Sequence, residues 1–202
     1  MNIIMVNKKR LGVTIIIIGL MLILCVFEKN FEGRLRITAL IHNNISSFQE
    51  YKGLNGRLSY KLPSGWKTEE YNHIGSEIIY NNSFRDDKSG IHGFIQVWNY
   101  NGDLKSFLNH SKNISNRQNI SYKEYSVSTI KINEKKGYML QYTITGDYSN
   151  ADKEDKEYRA YEYFIKDKDK FFRISFFMDD KDFQESITTV FETILQTFKY
   201  KK

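Results

Sequence analysis

Hydrophobic residues cluster first in Leu11–Phe27, LGVTIIIIGLMLILCVF, a run without a charged residue. A helix over it would span roughly 25 Å, the lower end for crossing a bilayer. Thr14 is its one polar side chain, so the helix is apolar all round and no face is marked for burial on protein. Further on, Leu35, Ile37, Leu40, Ile41, Ile45 and Phe48 keep rough helical spacing until Gly53 and Gly56 interrupt it. Residues 28–55 therefore read as a juxtamembrane linker with spacing that a helix could use.

From Arg57 the period changes to two, the spacing of strands with one face buried. Strands are expected at Arg57–Leu62, Thr68–Tyr71, Ser76–Asn81 and Ile91–Tyr100, with a polar loop over Asn82–Gly90. Asp103 is placed to cap a helix over Leu104–Ile114, whose Leu104, Phe107 and Leu108 share a face. Longer strands follow at Tyr122–Asn133 and Tyr138–Tyr148. In the second, Tyr138, Leu140, Tyr142 and Ile144 alternate with Gln141, Thr143 and Thr145, which predicts one packed and one wetter side. After a charged loop, Ser149–Lys156, a hairpin is expected from Glu157–Lys166 and Lys170–Met178.

Phe183, Ile187, Val190, Phe191, Ile194, Leu195 and Phe198 then recur at helical spacing, after acids at Asp179–Asp182 that would cap the helix start. The packed side of the sheet is the expected seat for this stripe. Burying side chains of this kind contributes on the order of 10 kcal/mol before entropy is subtracted.

Tyr60-Lys61-Leu62-Pro63-Ser64-Gly65-Trp66 resembles the opening of PsbP-like domains. Gly93–Val97 ahead of a helix starting at Leu104, and the aromatic hairpin leading into Phe183–Phe198, are similar to the same family. The resemblance covers roughly residues 56–200. It implies an α+β sandwich: a central antiparallel sheet with helices packed on it, here preceded by one transmembrane helix. It implies no reaction, since its motif is a turn and a core aromatic and its members mostly act as binding or assembly modules.

The formal charge is +6, and half of it comes from Lys8, Lys9 and Arg10, which precede the apolar run with no acid before Glu28. The remaining excess is thin and spread over a mixed surface, which argues against nucleic acid as a partner. By the positive-inside rule, residues 1–10 form a cytoplasmic tail, 11–27 the anchor, and 56–202 an extracytoplasmic domain at the cell membrane. A cleaved signal peptide would need small residues before the cut, but Leu-Cys-Val-Phe follows Ile23. Lipidation at Cys25 would need Gly, Ala or Ser just before it, where Leu24 stands.

No dinucleotide-binding, P-loop or G-x-S-x-G spacing occurs, so no catalytic or cofactor-binding residue is nominated. His42, His73, His92 and His110 lack ligand spacing, although His73 lies near Glu69 and Glu70. The acids Asp86-Asp87, Asp152–Asp155 and Asp179-Asp180 read as solvated, and no metal or other cofactor is expected. Trp66, Trp98, Tyr161 and Tyr163 are the candidates for an interaction surface, against a core role for the same rings. The expected role is a membrane-anchored interaction or assembly module without catalytic activity, partnered by another envelope protein. An extracytoplasmic hydrolase and a small-ligand or lipid-binding domain are the alternatives.

Overall fold

The computed structural model describes residues 8–71, 75–117, 121–145 and 157–201. Helix α1 (Lys8–His42) runs 35 residues, so it continues well past Phe27 without a break. What ends it is Asn44, in the left-handed region at φ 56. The Asn44 N–H reaches the Ile41 carbonyl at 3.0 Å and the Ile45 N–H reaches Leu40 at 2.8 Å. This pair of bonds is a Schellman ending, which satisfies carbonyls that a helix end otherwise orphans. Of the glycines expected to stop it, Gly53 instead closes strand β1 (Phe48–Gly53) and Gly56 lies in the turn that follows. That turn carries positive φ at Leu54, Asn55 and Gly56.

Strand β1 pairs antiparallel with β2 (Leu58–Pro63), which also pairs with the short C-terminal β10 (Lys199–Tyr200). Seven further strands make one antiparallel sheet: β3 (Lys67–Glu70), β4 (Ile78–Arg85), β5 (His92–Asn99), β6 (Ser121–Ile132), β7 (Lys135–Thr145), β8 (Glu157–Asp167) and β9 (Lys170–Asp179). Their order is β3-β4-β5-β9-β8-β7-β6. Helix α2 (Leu104–Arg117) follows β5, and α3 (Ser186–Gln196) follows β9. The architecture is thus α+β, with helices on an antiparallel sheet behind one long apolar helix.

Both faces of the large sheet are covered, by different helices. Ile95, Tyr163, Ile174 and Phe176 share one core with Ile187, Val190, Phe191 and Ile194 of α3. Leu140, Tyr142, Ala160, Phe164 and Phe171 point the other way and share a second core with Leu104 and Leu108 of α2. The sequence-based expectation of a wetter side is corrected here. The face carrying Leu140 and Tyr142 belongs to α2, whereas α3 lies on the opposite one. Long central strands are apolar on both sides when each side has a helix to meet.

Two boundaries also move. β4 runs on to Arg85, so Asn82 is a strand residue and not part of a polar loop. It is buried because its side chain donates to Tyr60 Oη, which also bonds Tyr80 Oη at 2.8 Å. The acids before the last helix do not cap it. Asp180–Asp182 form a 3₁₀ turn whose cap is Asp179, and α3 starts only at Ser186. Arg159 Nε holds Asp180 at 2.6 Å and pins that turn to β8. By contrast Asp103 caps α2 as its position foretold: its carboxylate accepts from the Ser106 N–H at 2.8 Å and hydroxyl at 3.0 Å. Those bonds hold its pKa below the ordinary carboxylate value.

Candidate functional site

The sheet face under α2 carries the chemistry. Glu162 sits mid-strand in β8, between Tyr161 and Tyr163, and is 3% exposed. A buried carboxylate needs partners on every lone pair it presents. Its Oε1 accepts from the Tyr142 hydroxyl at 2.6 Å. Its Oε2 accepts from the Ser175 hydroxyl at 2.6 Å and from Arg173 Nε at 2.7 Å. A second guanidinium nitrogen of Arg173 lies 2.6 Å from the same oxygen. The register explains the convergence, because Glu162 is the cross-strand partner of both Leu140 and Ser175. Burial pushes the Glu162 carboxyl up, but Arg173 and the two hydroxyls outweigh it and hold it below its ordinary value. Burial, then the neighbouring Glu162, push the Tyr142 phenol well above its ordinary value.

Beside this network a cleft of about 270 Å³ opens between α2 and the sheet. Phe107, Leu108 and Leu140 make its apolar wall, Tyr122, Tyr125 and Tyr142 its aromatic one, and Ser111 and Lys112 come from α2. A bulge in β6 builds the aromatic wall. Lys123 pairs with Thr143 and Ser126 with Gln141, so Glu124 and Tyr125 together face Tyr142. Glu124 takes φ 52 to make the extra step. Three residues apart on a regular strand, Tyr122 and Tyr125 would point to opposite faces; the bulge turns both toward α2. Tyr122 meets Tyr142 edge-on at 4.9 Å, and Tyr125 stacks on Tyr142 at 6.0 Å. The Lys112 ammonium lies over the Tyr125 ring, 3.8 Å from its centroid.

A second cavity, of about 320 Å³, lies where β2 and β10 meet the end of the β6–β7 hairpin. Its lining is mainly apolar, with Ile132, Ile165 and Phe172, and Lys135 at its edge is paired with Asp167 at 2.6 Å.

The four aromatics nominated from the sequence do not share a surface. Trp66 is buried and stacks on Phe84 at 5.2 Å. Tyr161 and Tyr163 are buried under α3, the first against Phe183 and Phe191, the second against Phe176. Trp98 alone is on the α2 side, half-buried, flat on Phe171 at 5.5 Å and donating to Gln96 Oε1. His92 packs edge-on against Tyr158 and flat on Phe177, while His42 bonds Ser186. His73 and Asp152–Asp155 lie outside the described residues. Asp86 caps its own turn through Ser89, and Asp87 pairs with Lys67 and Arg85. Among the described residues no three His, Cys, Asp or Glu side chains converge as a metal site. The residues of the α2 cleft were missed from the sequence, yet one signal was there: the acid Glu162 in the middle of Ala160–Ile165, a run whose other residues are aromatic or apolar.

Comparison with known proteins places the fold. No protein-family model matches the chain, and no curated protein matches it in sequence. The solution structure of cyanobacterial PsbP from Synechocystis sp. PCC 6803 superposes with a TM-score of 0.54 over 78% of this chain and 94% of that one, at 13% identity. The Ran-binding protein Mog1p of Saccharomyces cerevisiae gives 0.48 over 76% and 95%, at 8% identity. The chain therefore has a PsbP-like fold. At such identities the likeness shows the fold alone.

Proposed function

We propose that this chain is a single-pass membrane protein, N-terminus in the cytoplasm, that displays a non-catalytic PsbP-like binding module outside it, for a partner in the envelope. The observation that carries the reading is α1. Its apolar window has none of its length buried on the domain, yet its far end is docked there. Ala39 is buried, and Asn43 and His42 both bond Ser186 at the start of α3. A helix with no protein cover over that stretch needs lipid, and Lys8, Lys9 and Arg10 favour the cytoplasmic side for its start. The non-catalytic part is supported by Glu162, the buried carboxylate of the α2 face, whose two oxygens are taken up by Tyr142, Ser175 and Arg173 in a fixed ion pair.

Cys25 is the single cysteine, so Cys25→Ser gives a thiol-free background for topology. With Lys88→Cys added at an exposed position on the β4–β5 turn, a membrane-impermeant maleimide should label intact cells. Labelling only after lysis would overturn the topology.

A further inference from the structure

We propose that the face of Tyr125 in the α2 cleft is a binding site for an alkylated ammonium group, and that Lys112 is its built-in occupant. The inference rests on reading the domain as a binding module and names what the cleft takes. Aromatic faces attract cations through the ring quadrupole, and here an ammonium already lies 3.8 Å from the Tyr125 centroid. The ring is presented by a deviation from regular structure, the β6 bulge with Glu124 at φ 52. Backbone strain of that kind persists where the surroundings hold it. Here Tyr125 is braced by Tyr142 behind it at 6.0 Å and by Tyr122 at 5.6 Å.

Apart from Lys112, the charged side chains that line the cleft cancel. Arg173 is bound to Glu162, so the cation beneath the cleft is neutralised in place. Burial, more than the neighbouring Tyr122 and Glu162, pushes the Tyr125 hydroxyl up. The space of about 270 Å³ is near the ~300 Å³ lower end of small-molecule sites, which fits a headgroup-sized ligand. A methylated ammonium has the advantage over Lys112. A primary ammonium is a compact, strongly hydrated charge that loses much of its water to reach the ring. An alkylated one gives up less and adds apolar contact with Phe107 and Leu108. Lys112 thus acts as a competitor within the chain, lowering the apparent affinity by the fraction of time it covers the ring.

The test uses the full chain in dodecyl maltoside micelles, which carry no ammonium, with tyrosine rings isotopically labelled for NMR. Tetramethylammonium chloride should shift the Tyr125 ring signals saturably, and sodium chloride at equal ionic strength should not. Lys112→Ala should tighten binding about fivefold by removing the competitor. Tyr125→Leu should weaken it about tenfold, while Tyr125→Phe, which keeps the ring, should bind within about twofold of the parent. Absence of a saturable shift, or an unchanged affinity in Lys112→Ala, overturns the site; Lys112 is on the cleft rim, so that variant decides even if Tyr125→Leu does not fold. In phosphatidylcholine nanodiscs, signals already shifted before any titrant assign a lipid headgroup as the source. Signals that move only when choline is added assign a free solute. An accessible domain with a silent titration strikes the site alone, and a shielded domain with a saturable one strikes the topology alone.

Discussion

The two faces of the seven-stranded sheet are built to different rules. Under α3, Phe176 lies flat on Phe191 at 4.1 Å, and Ile95, Ile174, Val190 and Ile194 are all fully buried. The polar groups of that core are few, and Tyr60 links the Tyr80 hydroxyl to the Asn82 amide nitrogen. Under α2, the same strands present a carboxylate, a guanidinium and a cleft edged by tyrosines. The part of that face directly under α3 is dry and interlocked, which stabilises the fold because voids are expensive, and its cavity of about 320 Å³ lies to the side, by β2, β10 and the β6–β7 hairpin. A face with charge and open volume gives up some of that stability and gains a place where a ligand can compete. On the proposed reading, binding would fall to the α2 side, while the α3 side holds the fold together.

The sharpest way to break this comparison is to truncate each face. Phe176→Ala, in the α3 core, should cost about 4 kcal/mol in chemical denaturation, and Leu108→Ala, beside the open cleft, about 2 kcal/mol. Equal costs would mean that the α2 face is packed as tightly as the other. Next comes the buried charge. Arg173→Met strands the buried Glu162 carboxylate and should cost about 4 kcal/mol, more than Glu162→Ala, which leaves a guanidinium that water still reaches. The acid limb carries the same information. Because the Glu162 carboxyl is depressed in the folded protein, its contribution is fully present above the ordinary value of 4.5 and is lost as pH falls through the folded value. Glu162→Gln should flatten stability against pH in that acid range, and superimposable acid limbs for parent and variant would refute it.

A smaller effect is expected at Gly93, where β5 passes β9 so closely that an added Cβ would meet the Ser175 carbonyl oxygen at 1.9 Å. Gly93→Ala should cost about 2 kcal/mol and show as a lowered melting temperature, since backbone and not a flexible side chain must yield. The smallest is Tyr60→Phe, which strips one hydroxyl from the Tyr60–Tyr80–Asn82 network and should cost about 1 kcal/mol in the same denaturation assay. A larger loss there than at Leu108 would show that the α3 face depends on its polar links as well as on packing.

Period-two runs located the main strands, and the capping geometry at Asp103 was legible as it stood. The α3 stripe was legible too, although the helix is shorter than its apolar run because Phe183 and Phe198 lie outside its ends. What failed was the assignment of faces. Alternation along β7 says that Leu140 and Gln141 face opposite ways, but not which helix meets either. The candidate site was nearly invisible for a related reason. Tyr122, Tyr142, Glu162 and Arg173 come from four different strands and meet only through register, and Tyr125 joins them only because a bulge reverses its direction.

By itself the sequence determined the apolar helix, the strand and helix periods, and the α+β class, because each depends on the spacing of residues near one another in the chain. Tertiary structure alone decided that Trp66, Tyr161 and Tyr163 are core, that α1 is fastened to α3 through Ser186, and that a buried ion pair and three tyrosines share one cleft. Those outcomes depend on contacts between residues tens of positions apart, and no local pattern encodes which distant strand will supply the neighbour.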